Sequence, residues 1–221
     1  PTLAQCGSCG LYKTCKSPKM PYSGKGKRKI LIVGEAPGKS EDEQNRQFVG
    51  ESGQLLSETL MSLGVHMRRD CWITNSLICR PPDNKITNKR VIEFCRPNLI
   101  NTIKELQPQT IIVLGSVPVV SLLGWLWKED CGGISRWAGW CIPSQRLKCW
   151  IAPTYHPSFI NRGQRSDNRA DNKTSDVAKI IWTRHLKKAL SLHKRKWPSP
   201  VDFSTIQCEL DDSVSSKVIR D

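Results

Sequence analysis

The sequence predicts an α/β fold: a three-layer sandwich in which a central four-stranded, mainly parallel sheet is flanked by helices. Three observations predict it. The runs Ile30-Leu31-Ile32-Val33 and Thr110-Ile111-Ile112-Val113-Leu114 are apolar without alternation, as in strands buried on both faces. Segments of helical period lie between the apolar runs, the order expected of a parallel sheet. Gly34 and Gly115 end two of the runs, followed by a loop and a short helix respectively. In sheets of this kind ligands bind beyond the carboxyl ends of the strands.

The elements follow in order. Residues 1–28 are poor in apolar periodicity and rich in Cys, Gly, Pro and Lys, so they read as an irregular segment shaped by a metal. Residues 29–33 form the first strand, and 35–50 a loop rich in Gly, Pro and acidic residues. Residues 52–63 carry Leu55, Leu56, Leu60 and Leu63 at helical spacing, and Gly64 is a suitable stop. Trp72-Ile73-Thr74 is the second strand, 81–84 a loop, and 88–106 a helix with Val91, Ile92, Leu99, Ile103 and Leu106 in period. A third strand at 110–115 leads into a short helix at 116–124. Residues 125–150 hold five of the eight tryptophans and read as an irregular or hairpin excursion without an assigned function. Cys149-Trp150-Ile151-Ala152 is the fourth strand, 161–176 a polar and mobile loop, and 177–193 a basic amphipathic helix. The loops at 34–50, 75–84 and 156–162 carry the unusual chemistry, and the topology brings them to one crevice.

The expected domain is 1–197, closed by Pro198-Ser199-Pro200. Residues 198–221 form an extension, read as a linker or the start of another domain. The first residue is Pro1, which fits either a removed initiator or a piece of a longer chain. A length of 221 residues suits one domain with a full core. No apolar run of about 18 residues exists, so no membrane span is expected. There is also no signal pattern, and the expected location is cytoplasmic, at the nucleoid or in a virus-infected cell. With 34 basic and 20 acidic residues the net charge is +14, a surface that attracts polyanions, nucleic acid first among them. Ten cysteines without a signal peptide argue against a disulfide framework. Cys71, Cys131, Cys141 and Cys149 read as ordinary buried thiols, whereas Cys6-x-x-Cys9 has metal-ligand spacing.

Several motifs stand in register. They are Gly34-Glu35-Ala36-Pro37-Gly38, Glu41-Asp42, Phe48-Val49-Gly50 and Gly53-Gln54-Leu55-Leu56. Ile73-Thr74-Asn75, Cys79-Arg80-Pro81-Pro82, Cys95 with Pro97 and Leu99, and Tyr155-His156-Pro157-Ser158 follow. Together they resemble the family 4, iron–sulfur uracil-DNA glycosylases, from Cys6 to about Ser158. The resemblance implies hydrolysis of the bond between uracil and deoxyribose in DNA, single- or double-stranded, by a monomeric domain. Gln47 stands where the family commonly has Pro, and Ile78 where Lys is common.

The resemblance also implies residue roles. Cys6, Cys9, Cys79 and Cys95 fall at the ligand positions of a [4Fe–4S] cluster, with zinc on the same four thiolates as the alternative and Cys15 as a neighbouring thiol. A base inside a duplex must be flipped into a pocket. Phe48 is the expected stacking ring, and Asn75 the amide that reads the uracil edge. The backbone at Ala36, Pro37 and Gly38 is expected to approach uracil or phosphate. Charge builds on uracil O2 as the base departs, and His156 stands at the position of the donor that stabilises it. The water-orienting carboxylate is expected to be Glu41 first and Glu35 second. Ser158 is expected to bond a phosphate, and Arg162, with Arg165 and Arg169, to grip DNA. The competing readings are an inactive DNA- or uracil-binding module of a larger polypeptide, fused to or associated with a DNA polymerase, and a metal-binding regulator without a base pocket.

Overall fold

The structure, a computed structural model, describes residues 6–164 and 169–195, with the side chains of 163–175 outside that description. The expected extension 198–221 and the side chains of Arg165 and Arg169 lie outside the described residues.

Five strands form one sheet: β1 (Ile30–Gly34), β2 (Cys71–Asn75), β3 (Thr110–Leu114), β4 (Ile142–Ser144) and β5 (Cys149–Thr154). Their spatial order is β2-β1-β3-β5-β4. The four expected strands pair in parallel. The fifth, β4, pairs antiparallel with β5 and corrects the expectation of four. It is only three residues long and contains Pro143, so no pattern marked it; it exists because the exposed side of β5 needs a hydrogen-bonding partner. The opposite edge is covered too, where Ser23 and Ile73 exchange backbone hydrogen bonds of 2.9 and 2.8 Å.

Each central strand buries alternate side chains into two layers. Ile30 and Ile32 pack with Leu56 and Leu60 of α2 (Glu51–Ser62) and with Trp182 and Leu186 of α8 (Arg169–Ser191). Leu31 and Val33 face the other way. They meet Leu99 and Ile103 of α4 (Arg90–Leu106) and Val119 and Leu122 of α5 (Ser116–Trp127). This is the expected three-layer sandwich. A third, smaller cluster joins Leu77, Ile78, Cys79, Val91, Ile92 and Cys95 to the N-terminal segment through Leu11, Tyr12 and the thiols of Cys6, Cys9 and Cys15.

Other differences are local. The loop 35–50 contains a short helix, α1 (Lys39–Gln44). A further turn, α3 (Met67–Asp70), precedes β2, and α6 (Ile134–Trp137) interrupts the Trp-rich excursion. The segment read as a polar loop, 161–176, is largely helical. It is shared between α7 (Pro157–Gln164) and the beginning of α8, where Trp182 and Leu186 downstream anchor the helix to the sheet. Among the described residues no helix is long and apolar enough to cross a membrane.

Candidate active site

The chain runs from β1 outward to β2 and then returns to place β3 on the other side of β1, so the strand order reverses between β1 and β3. A crevice opens at such a point. Here it is a cavity of ≈ 740 Å³ lined from every strand end that faces it. Glu35, Ala36, Pro37 and Gly38 follow β1, Asn75 ends β2, and Tyr155, His156 and Ser158 follow β5. Glu41, Phe48 and Arg162 also line it. Of the expected catalytic, base-binding and DNA-binding residues, all but Arg165 and Arg169, whose side chains lie outside the description, therefore meet in one place, while the four expected metal ligands lie apart from it.

Phe48 and Asn75, the expected base-reading groups, are held by close backbone packing. Gly34 and Asn75 are register partners on β1 and β2. A Cβ on Gly34 would stand 2.3 Å from Asn75 Oδ1 and 2.7 Å from Phe48 Cζ. Only a residue without a side chain lets the ring and the amide approach each other there. Phe48 adopts φ 52°, the left-handed region that costs a bulky residue energy. Its conformation is held from several sides. Arg68 Nη2 donates to the carbonyls of Gln47 and Phe48, and a Cβ on Gly53 would collide with the Phe48 backbone at 2.2 Å. Gln47 is buried rather than merely tolerated: Ser23 Oγ donates to its Oε1, and its Nε2 donates to the Pro21 carbonyl.

The two glutamates differ in their surroundings. Glu41 Oε1 accepts from the Val49 and Gly50 amides, each at 2.8 Å, and Oε2 accepts from the Gly38 amide at 3.2 Å. That carboxylate clasps both ends of the loop that carries Phe48. Glu35 is half-buried, and burial pushes its carboxyl above the usual carboxylate range while the Arg162 guanidinium opposes the shift. Asp42, beside Glu41, is spent on architecture. Its carboxylate accepts from the Lys16 and Ser17 amides at 3.1 and 2.8 Å and pins the N-terminal segment.

His156 has a defined proton arrangement. The Ser158 amide donates to Nδ1 at 3.2 Å, and Ser158 Oγ lies 2.9 Å from the same nitrogen. An accepting Nδ1 leaves the hydrogen of the neutral ring on Nε2. Burial, with Arg162 adding to it and Glu41 opposing it, pushes the pKa down to about 4, so the ring is a neutral N–H donor near neutral pH. The Phe48 and His156 ring centroids are 6.5 Å apart. Arg162 is exposed, and its Nη1 reaches Ser158 Oγ at 3.4 Å.

The cleft also takes residues that the sequence did not single out. Gly115 and Ser116 come from the end of β3, and Ile134 and Ser135 from the Trp-rich excursion. The position of Ser116 directly after a buried strand was the available signal; nothing local marks Ile134.

Away from the cleft, the expected metal thiols share the third apolar cluster with Cys15. Cys15 lies near Cys79, and Cys9 and Cys6 lie near Cys95. Among the described residues no three His, Cys, Asp or Glu side chains stand close enough to share one metal ion, so the fit rests on the donor set. It consists of sulfur in an apolar pocket with N–H groups aimed at it. Lys19 donates its amide to Cys79 Sγ at 3.2 Å, and Ile78 and Asn98 donate to Cys95 Sγ at 3.4 and 3.7 Å. Hydrogen bonds to sulfur, and apolar burial, are what such clusters are tuned by. Burial pushes the Cys79 thiol up and that of Cys95 up to about 11. These thiols are neutral unless a cation displaces their protons.

Comparison with known proteins agrees with this geometry. The profile of the Uracil DNA glycosylase superfamily matches residues 21–182. The chain is 40% identical over 164 residues to a Type-4 uracil-DNA glycosylase of Pyrobaculum aerophilum, covering 72% of this chain and 81% of that protein. It is 35% identical over 160 residues to that of Archaeoglobus fulgidus, covering 72% and 79%. The enzyme of the same name from Thermotoga maritima is 30% identical over 167 residues, covering 76% and 83%.

Proposed function

The chain belongs to the type-4 uracil-DNA glycosylases of the uracil-DNA glycosylase superfamily, and we infer from its cleft how each residue serves that activity. It is a hydrolase of the N-glycosidic bond to uracil in DNA, and its product is an abasic site. The observation that carries the residue assignment is the meeting of Phe48, Asn75, His156 and Glu35 in one cavity.

The flipped uracil stacks on Phe48 and presents its edge to Asn75, whose amide donates to O4 and accepts from N3–H. Cytosine has an amino group in place of O4 and no proton on N3, so it leaves both partners opposed. Negative charge then develops on the departing ring. The Nε2–H of neutral His156 is the donor at O2, and Ser158 fixes its tautomer. A neutral donor meets an anion without first having to be protonated, and burial keeps it neutral.

We assign the water-orienting carboxylate to Glu35 and a loop-holding role to Glu41. Three amides already occupy Glu41, whereas Glu35 ends in the cavity with Arg162 as its charged neighbour. Arg162 and the surrounding basic surface serve the DNA backbone. Cys6, Cys9, Cys79 and Cys95 would hold the [4Fe–4S] cluster, or zinc, as a tie between the N-terminal segment, the loop after β2 and α4. Bound there, the group supplies cross-linking rather than a reaction step.

The test uses an oligonucleotide with one deoxyuridine, followed by alkaline cleavage of abasic sites. Scission by the parent protein, reduced roughly 100- to 1,000-fold in His156→Ala, is the expected result for loss of one charge-stabilising donor. No scission on single strands or duplex by protein with its cysteine site loaded would overturn the catalytic reading and favour a binding module.

A further inference from the structure

The Trp-rich excursion lies at the same end of the sheet as the cleft, and its aromatic surface continues from the cleft's rim. Phe159 lines the cavity and is 47% exposed. It stacks on Tyr155 with centroids 4.9 Å apart and an interplanar angle of 21°. Tyr155 stacks in turn with His185 at 6.5 Å and 23°. Next comes Gly139, where a Cβ would lie 2.5 Å from His185 Nε2, so the backbone itself rests on that ring. Trp140 follows at once and is 60% exposed, the largest exposure of any aromatic side chain among the described residues. It meets Trp137 edge-on at 6.1 Å, and Trp137 leans on Trp127 at 5.0 Å.

Apolar burial does not account for this surface, because Trp140 and Trp127 remain in solvent. Folding does account for its anchors. The Trp137 indole donates to the Cys131 carbonyl at 2.7 Å, and the Gly139 amide donates to the Pro153 carbonyl at 2.9 Å, at the end of β5. The excursion is thus fastened beside Tyr155, whose ring is stacked by Phe159 and His185, while Phe159 and Trp140 at the two ends of the row stay exposed. Positive charge accompanies it: Arg136 is exposed next to Trp137, and Lys188 donates to the Gly139 carbonyl at 3.2 Å. Lys128, beyond Trp127, is followed by Glu129 and Asp130, whereas Arg136 and the Lys188 that reaches Gly139 stand on the Trp140 side.

We propose that Phe159 and Trp140, the exposed ends of this row, are stacking platforms for the single-stranded DNA that flanks the flipped uridine, with Trp140 as the outer one. The proposal rests on the glycosylase reading of the cleft. Every base has a π-face, so aromatic stacking holds a single strand whatever its sequence, and nearby cations take the phosphates. A duplex keeps its bases stacked on one another and offers Trp140 no free face. The platforms therefore favour single strands.

The experiment compares the parent, Trp140→Ala and Trp140→Phe, each with its cysteine site loaded. It measures affinity for a uracil-free single-stranded oligonucleotide, and kcat and KM on deoxyuridine in single strands and in duplex. For Trp140→Ala the expected result is about tenfold weaker single-strand binding, with a matching rise in single-strand KM. Its kcat and duplex KM should stay unchanged, and Trp140→Phe should restore most of the loss. Shortening the substrate on one side of the uridine should abolish the difference between parent and Trp140→Ala, and shortening it on the other side should not. Unchanged single-strand affinity would overturn the proposal, as would equal weakening on both substrates or a loss confined to kcat. If the parent excises no uracil at all, the glycosylase reading fails, and the uracil-free oligonucleotide still reports on Trp140 by itself.

Discussion

Glu35 and Glu41 sit in one loop, and the difference between them is a difference in hydrogen bonding. Glu41→Gln exchanges a carboxylate that accepts three amides for a group with a donor at one end, so one backbone N–H is opposed and another weakened. The expected outcome is a loss of roughly 1–3 kcal/mol of stability, read as a shifted denaturant midpoint. Glu35→Gln makes no such demand on the backbone. It should leave the midpoint in place and lower kcat by roughly 100- to 10,000-fold, the span of a lost general base. The acid limb of the parent's kcat profile should lie above the ordinary carboxylate range, because burial raises Glu35, and it should vanish in the Gln variant. Reversed phenotypes would return the water to Glu41. His156 contributes a separate dependence on pH. Its folded pKa of about 4 lies below the ordinary 6.5, so between those values the unfolded chain binds a proton that the folded chain refuses. The stability difference is absent above pH 6.5 and grows as pH falls toward 4, to roughly 3 kcal/mol. His156→Gln should therefore narrow the gap between denaturation midpoints measured at about pH 7 and about pH 5. An unchanged gap would mean that the imidazole is not protected from protonation.

At the scale of elements, the proposed base pocket is made by the ends of β1 and β2 more than by any one side chain. Gly34→Ala places a methyl group 2.3 Å from Asn75 Oδ1 and 2.7 Å from the Phe48 ring, which no rotamer of the alanine can relieve. Both reading groups must move, and misplacement of about 1 Å costs about 100-fold in rate. The expected outcome is a folded protein by circular dichroism with excision reduced about that much. Full activity would show that the pocket does not depend on this contact. The sequence made these elements readable because β1 and β3 are buried on both faces, and the loops after them carry chemistry in contiguous motifs. Those motifs carry the family resemblance, which is what pointed to Phe48, Asn75 and His156, and the structure brings the three to one cavity. The parts that could not be read depend on partners distant in the chain. Strand β4 needs the free side of β5, the Asp42 carboxylate needs the amides of Lys16 and Ser17, and Ile134 reaches the cleft only because α6 folds back over Ser116. The polar composition of 161–176 suggested a loop, yet the apolar face of α8 further along is enough to carry helix through much of it.

Across the whole molecule, the two main cores and the third cluster do different work. The layers on either face of the sheet are built from aliphatic side chains of strands and helices that pair with one another. The third cluster has a much smaller apolar content, and four of its contributors are the proposed ligands. From Lys16 onward the N-terminal segment is fastened independently of the cysteines, by Asp42, by Gln47, by the bridge at Ser23 and by backbone bonds such as that of Met20 to Ile78. Loss of the cysteine-bound group should therefore release the first residues selectively, because the sheet and its two layers do not rest on it. Cys95→Ser should lose its visible absorption and its stoichiometric iron, and limited proteolysis should then cut within the N-terminal segment while the remainder survives as one fragment. Cys15→Ser should keep both iron and colour, because the four proposed ligands are Cys6, Cys9, Cys79 and Cys95 and Cys15 is their neighbour in the same cluster. Stoichiometric zinc in place of iron in the parent would settle the metal the other way while leaving the architecture intact. Full iron in Cys95→Ser, or its loss in Cys15→Ser, would reassign the ligand set itself.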